Sequence, residues 1–282
     1  MTQKTVVITG VSSGIGNATA RLYLSKGYRV FGSVRNVNDA QSLKALFGLN
    51  FYPLVMDVCK WDEIEKCSEF VRKELNGRPL DCLINNAGMA LAGPLEYQDI
   101  QEIQNIFDVN VIGLIKVTRA FLPMLKVKDL SSNRSGKIIN ISSVAGKISA
   151  PFLGAYASSK HAVEAISASF RRELMPYGID VIIIGPGNVR TPIWSKAARL
   201  NAFDHTGYKK AYRNFIDYAL TEEKKGMAPE EIAEVILKAS ETGQASVRYA
   251  PVAQKVINWI LPRSLSDRTL DKIFYKNFKM GV

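Results

Sequence analysis

The sequence is short of cysteine, of long apolar runs and of linker composition, and each shortage narrows what the chain can be. Its 282 residues include three cysteines, Cys59, Cys67 and Cys82. That odd set, without metal-ligand spacing, argues against a disulfide framework and a metal site and predicts packing residues in a reducing compartment. No apolar stretch approaches the roughly 20 residues that cross a bilayer. No basic segment followed by an apolar run stands at the N-terminus, so a soluble, cytoplasmic chain without a signal peptide is expected. No Pro-, Gly- or Ser-rich linker, repeat or low-complexity tract divides the sequence, and residues 1–282 are expected to form a single domain.

Acids are also outnumbered, 37 Lys and Arg against 26 Asp and Glu, for a formal net charge of +11. The basic residues are scattered, with no interleaved aromatics and arginines and no zinc spacing, so nucleic acid is not an expected partner. A positive field suits an anionic cofactor, and a plain solvated surface is the alternative.

What is present is a series of short, nearly continuous apolar runs rich in β-branched residues: 5–9, 29–34, 51–56, 82–85, 137–142 and 180–185. Such runs suit parallel strands covered on both faces. Helix-length segments alternate with them, predicting an α/β, doubly wound parallel sheet with helices on both faces and right-handed crossovers. The pattern loosens after Thr191. Residues 192–226 read as a helical flap over the carboxyl edge of the sheet, 229–241 as a helix opened by Pro229 and two acids, and 246–250 as a last strand.

The extension over about 246–282 is basic and amphipathic: Val252, Val256, Trp259, Ile260, Leu270, Ile273, Phe274 and Phe278 fall at helical spacing. From Arg248 onward it carries seven Lys or Arg against two acids. Core packing, a dimer surface and a shallow, weak membrane contact are its alternatives.

The first strand runs into "TGVSSGIG", Thr9 to Gly16. Gly10, Gly14 and Gly16 permit a tight turn and close approach of a pyrophosphate to the backbone, and Ser12, Ser13 and Ile15 lie in the same turn, before a helix N-terminus that favours anions. At the end of the second strand, where an NAD site would want an acid, stand Val34, Arg35 and Asn36. A guanidinium pairs with a 2′-phosphate that a carboxylate would repel, so NADP(H) is the expected cofactor, with Ser12 or Ser13 adding a hydroxyl. An exposed turn residue is the alternative for Arg35.

"TGVSSGIG", "NNAG" at 85–88, Asn110 in "DVNVIG", "NISS" at 140–143, "YASSK" at 156–160 and "PGNVRT" at 186–191 occur in order. Together they resemble the short-chain dehydrogenases/reductases, whose fold is of the Rossmann type. The resemblance covers Thr9 to Thr191 and implies a catalytic set of Asn110, Ser143, Tyr156 and Lys160. It also implies that Asn86, Ala87 and Gly88 line the adenosine side, that Asp57 and Val58 sit by the adenine, and that Pro186, Gly187, Val189 and Thr191 hold the nicotinamide. Arg35 is similar to the NADP(H)-preferring, single-domain branch, and the tail looks more like the 17β-hydroxysteroid and retinol dehydrogenase relatives than like a minimal ketoacyl reductase.

Tyr156 and Lys160, four positions apart, share one helix face about 6 Å apart. Reduction of a carbonyl needs a proton as well as a hydride, and a free phenol with a pKa near 10 gives it up reluctantly. Lys160 is therefore expected to lower the Tyr156 pKa and to bind ribose hydroxyls, with Ser143 donating to the substrate oxygen. The resemblance assigns Asn110 a water linking Lys160 to solvent. His161 points away around the helix, and His205 reads as a surface residue.

The expected activity is an NADP(H)-dependent interconversion of an alcohol and a ketone or aldehyde, on a bulky apolar substrate of steroid, retinoid or lipid kind. Ile193, Trp194, Phe203, Tyr208, Tyr212 and Phe215 either line its pocket or pack inward on the sheet. A 3-ketoacyl or small-carbonyl reductase and a non-catalytic dinucleotide sensor or scaffold are the alternatives. Apolar surfaces on helices around 100–125 and 154–175 suggest a homodimer or homotetramer.

Overall fold

A computed structural model describes residues 3–127 and 136–281; the first two residues and Val282 of the expected unit lie outside the described residues, as do 128–135. Among the described residues, strands β1 (Thr5–Ile8), β2 (Arg29–Val34), β3 (Phe51–Val55), β4 (Cys82–Asn85), β5 (Lys137–Ile141), β6 (Asp180–Ile184) and β7 (Arg248–Tyr249) form one sheet in the order β3-β2-β1-β4-β5-β6-β7. Every adjacent pair is parallel. The last strand is shorter than expected, yet its ladder is not: the carbonyls of Val247, Tyr249 and Pro251 accept from the amides of Ile183, Gly185 and Gly187 at 2.8–3.0 Å.

The helices are α1 (Gly14–Ser25), α2 (Val37–Phe47), α3 (Trp61–Leu75), α4 (Ile100–Phe107), α5 (Leu114–Leu125), α6 (Gly154–Leu174), α7 (Ile193–Ala197), α8 (Lys209–Lys225), α9 (Pro229–Glu241), α10 (Leu261–Ser264) and α11 (Asp267–Phe278). Strand alternation divides the core: Val6 and Ile8 face the layer that includes Ile232 and Ile236 of α9, whereas Val7 faces the layer that includes Ile64 of α3 and Phe121 of α5. Both faces are covered, as the uninterrupted apolar strands require.

The residues of the expected flap form α7 and α8, and Phe203, Tyr212 and Phe215 are buried with Phe152 and Phe278 in a separate aromatic cluster. Of the two alternatives for these three, inward packing is the one seen: they pack against each other and their neighbours at 4.9–5.7 Å between ring centroids, edge-on except for the tilted Phe152–Phe215 pair. Core packing holds for part of the tail only, with Val252, Leu270 and Phe274 half-buried. Of the eight apolar positions singled out there, Trp259 and Phe278 alone are buried, and Val256, Ile260 and Ile273 are exposed.

Candidate active site

The strand order reverses between β1 and β4, which opens a crevice at their carboxyl ends. Gly10 takes φ +71°, a value that disfavours side chains, and its amide donates to Ser33 Oγ at 3.1 Å. A Cβ on Gly16 would overlap the Gly10 carbonyl oxygen and stand 2.5 Å from Asn86 Nδ2. Asn86 Nδ2 in turn donates to the carbonyls of Thr9 and Gly10 at 2.9 and 3.0 Å. Its amide thus braces the glycine turn, and Ala87 and Gly88 follow it along the crevice.

Ser13 precedes α1 without its hydroxyl oxygen accepting from a first-turn amide, and no acid lies in that turn. Ser12 and Ser13 are exposed. An uncapped helix start with bare glycines is a cradle for phosphate. Arg35 is exposed directly after β2 and makes no hydrogen bond or ion pair among the described residues, while its neighbour Asn36 caps α2 by accepting from Asp39 N at 2.8 Å. A phosphorylated dinucleotide fits this donor set.

Asp57 Oδ1 accepts from Cys59 N at 2.9 Å and the Asp57 amide donates to Glu63 at 2.8 Å, which fixes the turn that buries Val58. Across the crevice the Val144 amide donates to Pro186 O at 2.9 Å, Gly187 is held by Pro251, and Val189 bridges to Met227. Thr191 Cγ2 lies 3.1 Å from where a Gly14 Cβ would stand, so this loop closes back onto the glycine turn.

The expected catalytic residues converge. Tyr156, Lys160 and Glu164 form one buried stripe of α6, each a turn from the next. Lys160 Nζ donates to Ile141 O at 3.0 Å and lies 5.8 Å from the Tyr156 ring centroid. Asn110 sits in a π-helical turn, Asp108–Gly113, not in regular helix. Such a turn re-aims a side chain. Its Oδ1 accepts from Met89 N at 2.8 Å and its Nδ2 donates to Met89 O and Ser159 Oγ at 2.9 and 3.0 Å. Asn110 Oδ1 and Lys160 Nζ meet at Gly88, where a Cβ would stand 3.2 and 3.6 Å from them. Ser143 Oγ accepts from Ala145 N at 3.1 Å, leaving the hydroxyl proton free to donate.

The electrostatics depart from the sequence reading. Burial pushes the Tyr156 phenol above its ordinary pKa, with Ser143 acting in the opposite direction, and Lys160 is not among the groups that lower it. Lys160 is itself pulled down to about 8 by burial, partly offset by Glu164. The physical reason is shared desolvation: both groups lie in one dry stripe, and the ammonium is already engaged by a backbone carbonyl.

Glu164 and Arg248 were missed in the sequence. Arg248 Nε contacts both carboxylate oxygens of buried Glu164 at 3.0 Å, and its Nη2 donates to Ser143 O at 3.2 Å; Lys147 Nζ stands 3.4 Å from the same carboxylate. The spacing of Glu164 from Lys160 was the available signal. Asn85, Asn140 and Ser167 join β4, β5 and α6 through buried bonds of 2.8 and 2.9 Å. From the flap, Trp194 stands edge-on to Tyr156 at 5.6 Å, with Ile193 packed in the same cluster. His161 is bound to Ala157 O of its own helix and His205 is exposed.

Residues 4–201 match the family model described as short chain dehydrogenase. The chain is 39% identical over 275 residues to the NADPH-dependent 3-dehydrocapnine reductase of Ornithobacterium rhinotracheale, covering 97% of this chain and 96% of that one. It is 36% identical over 195 residues to mouse retinol dehydrogenase 16, covering 69% and 59%. A short-chain dehydrogenase crystal structure from Streptomyces avermitilis superposes with a TM-score of 0.78 at 26% identity, over 99% of this chain and 96% of that one.

Proposed function

Because the chain belongs to the short-chain dehydrogenase family, we propose that it is an NADP(H)-dependent oxidoreductase that reduces the ketone of a bulky, lipid-like substrate with Tyr156 as proton donor. The observation that carries the reading is the convergence of Ser143, Tyr156, Lys160 and Asn110 beside the glycine turn. A bound nicotinamide would supply the hydride to the carbonyl carbon. Tyr156, a phenol that burial moves above its ordinary pKa, is protonated at neutral pH and gives its proton to the oxygen. Ser143 donates to that oxygen as charge develops, because its own acceptor side is already bound to Ala145. Lys160 would hold the ribose hydroxyls of a bound cofactor, and Asn110 fixes the Met89 backbone at the site's floor with the proposed water route to solvent alongside.

Support for NADP(H) comes from unengaged Arg35 and from a nearly full-length relative named NADPH-dependent. The lipid-like substrate is supported by Ile193 and Trp194, the apolar flap residues packed on the cluster that holds Tyr156. On this reading the chain works as one domain in the cytoplasm, with 192–226 as its flap, and pairs as a homodimer or homotetramer through the helices of 100–125 and 154–175, where Ala165 and Ser169 of α6 are exposed.

The test is oxidation of NADPH and NADH against long-chain, steroid, retinoid, 3-ketoacyl and small ketones. Turnover with NADPH that rises with chain length is expected. Preference for small ketones or for NADH overturns the substrate or cofactor assignment, and NADPH binding without turnover on any ketone points to a sensor.

A further inference from the structure

We propose that the exposed apolar face formed by Val256, Ile257, Ile260 and Leu261 docks this protein onto an anionic phospholipid bilayer. Val256, Ile257 and Ile260 lie in a π-helical turn, Val256–Ile260, and Leu261 opens α10 directly after it. They recur at i, i+1, i+4 and i+5, which places them on one side of a helical segment. Each is between 49% and 65% exposed. The apolar residue of this segment that faces the other way is Trp259, buried, with the guanidinium groups of Arg248 and Arg263 at 4.3 and 4.5 Å from its ring centroid. Trp259 therefore pins the segment to the body of the protein, and the pinning turns the aliphatic side chains outward.

The surrounding charge selects the occupant. Beyond Arg248, whose guanidinium is paired with Glu164, the chain carries six basic residues against two acids, and Lys255 and Arg263, flanking the apolar face in sequence, are both exposed. Two copies pairing through this face would bring like charges together, whereas an anionic leaflet attracts juxtaposed Lys and Arg while its acyl boundary accepts the aliphatics. The face is short, so docking is shallow and reversible.

Its position also bears on the reaction. Arg248, which stacks on Trp259, donates to the Ser143 carbonyl at 3.2 Å, so the lipid-facing segment is two side chains from the proposed proton donor's partner. A membrane-resident ketone would then be reached at the surface where it resides. That consequence rests on the function proposed above; the docking does not.

The experiment is co-sedimentation of the full chain with vesicles of phosphatidylcholine alone and of phosphatidylcholine containing 30% phosphatidylglycerol. Ile257→Asp/Ile260→Asp and Lys255→Glu are compared with wild type, with thermal unfolding to confirm that these exposed substitutions leave the fold intact. Wild type is expected to bind the anionic vesicles, and the double variant to lose at least about tenfold in partitioning. The lysine variant should lose about fivefold or more, less so at high salt. No wild-type binding, equal binding to uncharged vesicles, or equal binding by the double variant overturns the proposal. So does a concentration-dependent dimer in sedimentation velocity that the double variant abolishes, which would assign the face to a second copy. NADPH-dependent turnover, measured in parallel without vesicles, separates a failure of docking from a failure of the catalytic assignment.

Discussion

The crevice around Tyr156 and the tail beyond Pro251 use the same residue types to opposite ends. In the crevice four polar side chains are fixed by neighbours from other elements: Asn86 on the glycine turn, Asn110 on Met89 and Ser159, Lys160 on Ile141, Glu164 on Arg248. In the tail, Trp259 and Phe278 are the buried apolar anchors, and Val256, Ile257, Ile260, Leu261, Ile273 and Tyr275 face outward. Over-determined geometry is what a reaction demands, because a misplaced donor loses its advantage. Exposed aliphatics on a pinned segment are what a surface contact demands. The two regions meet at Arg248, which binds Glu164 on one side and Trp259 on the other.

Substitution can sharpen or break that contrast. The largest effect is expected from Gly16→Val, where the new side chain meets the Gly10 carbonyl and the Asn86 amide with no flexible partner to yield; a loss of about 3 kcal/mol or more in denaturant unfolding, with loss of NADPH binding, is predicted. Phe215→Ala, in the buried aromatic cluster, is expected to cost about 3–5 kcal/mol. Tyr275→Ala, on the exposed side of the tail, should stay within about 0.5 kcal/mol. A large loss at Tyr275 would show that the tail is covered after all.

Next in size is Arg35→Ala, expected to weaken NADPH about tenfold or more and to leave NADH nearly unchanged, measured by fluorescence titration. The smallest is a displacement in pH. Lys160 loses its charge as pH rises through about 8, so cofactor affinity should fall through that range. Glu164→Gln removes the group that raises the Lys160 pKa and should move this limb to lower pH; an unmoved limb would detach Lys160 from cofactor binding. The same depression has a stability sign. The unfolded chain holds the Lys160 proton up to about 10.5 and the folded chain only up to about 8. This group therefore adds stability as pH rises between those values, and burial of its charge costs most below them.

The parallel sheet was legible because a strand buried on both faces has to be β-branched and apolar throughout, and all six expected strand runs lie in it within a residue. The glycine turn and the Tyr156–Lys160 pair were legible because backbone approach and helical spacing leave marks at fixed intervals. The aromatics of 192–226 were not: Trp194 on Tyr156 and Phe215 in its own cluster are the same kind of residue until the helices are placed. The π-helical turn at Asn110 adds no pattern of its own. The direction of the Tyr156 shift depends on burial, which spacing does not encode, and the spacing of Glu164 from Lys160 marks a shared face but not its burial or its pairing with Arg248, 84 residues away.

The proton on Tyr156 is the centre of the account, and single-turnover reduction of an accepted ketone by NADPH in wild type and Tyr156→Phe tests it most directly. The account predicts a rate lower by about 10²–10⁴-fold in the variant, with NADPH affinity and thermal stability preserved. Equal rates in the two proteins would contradict it.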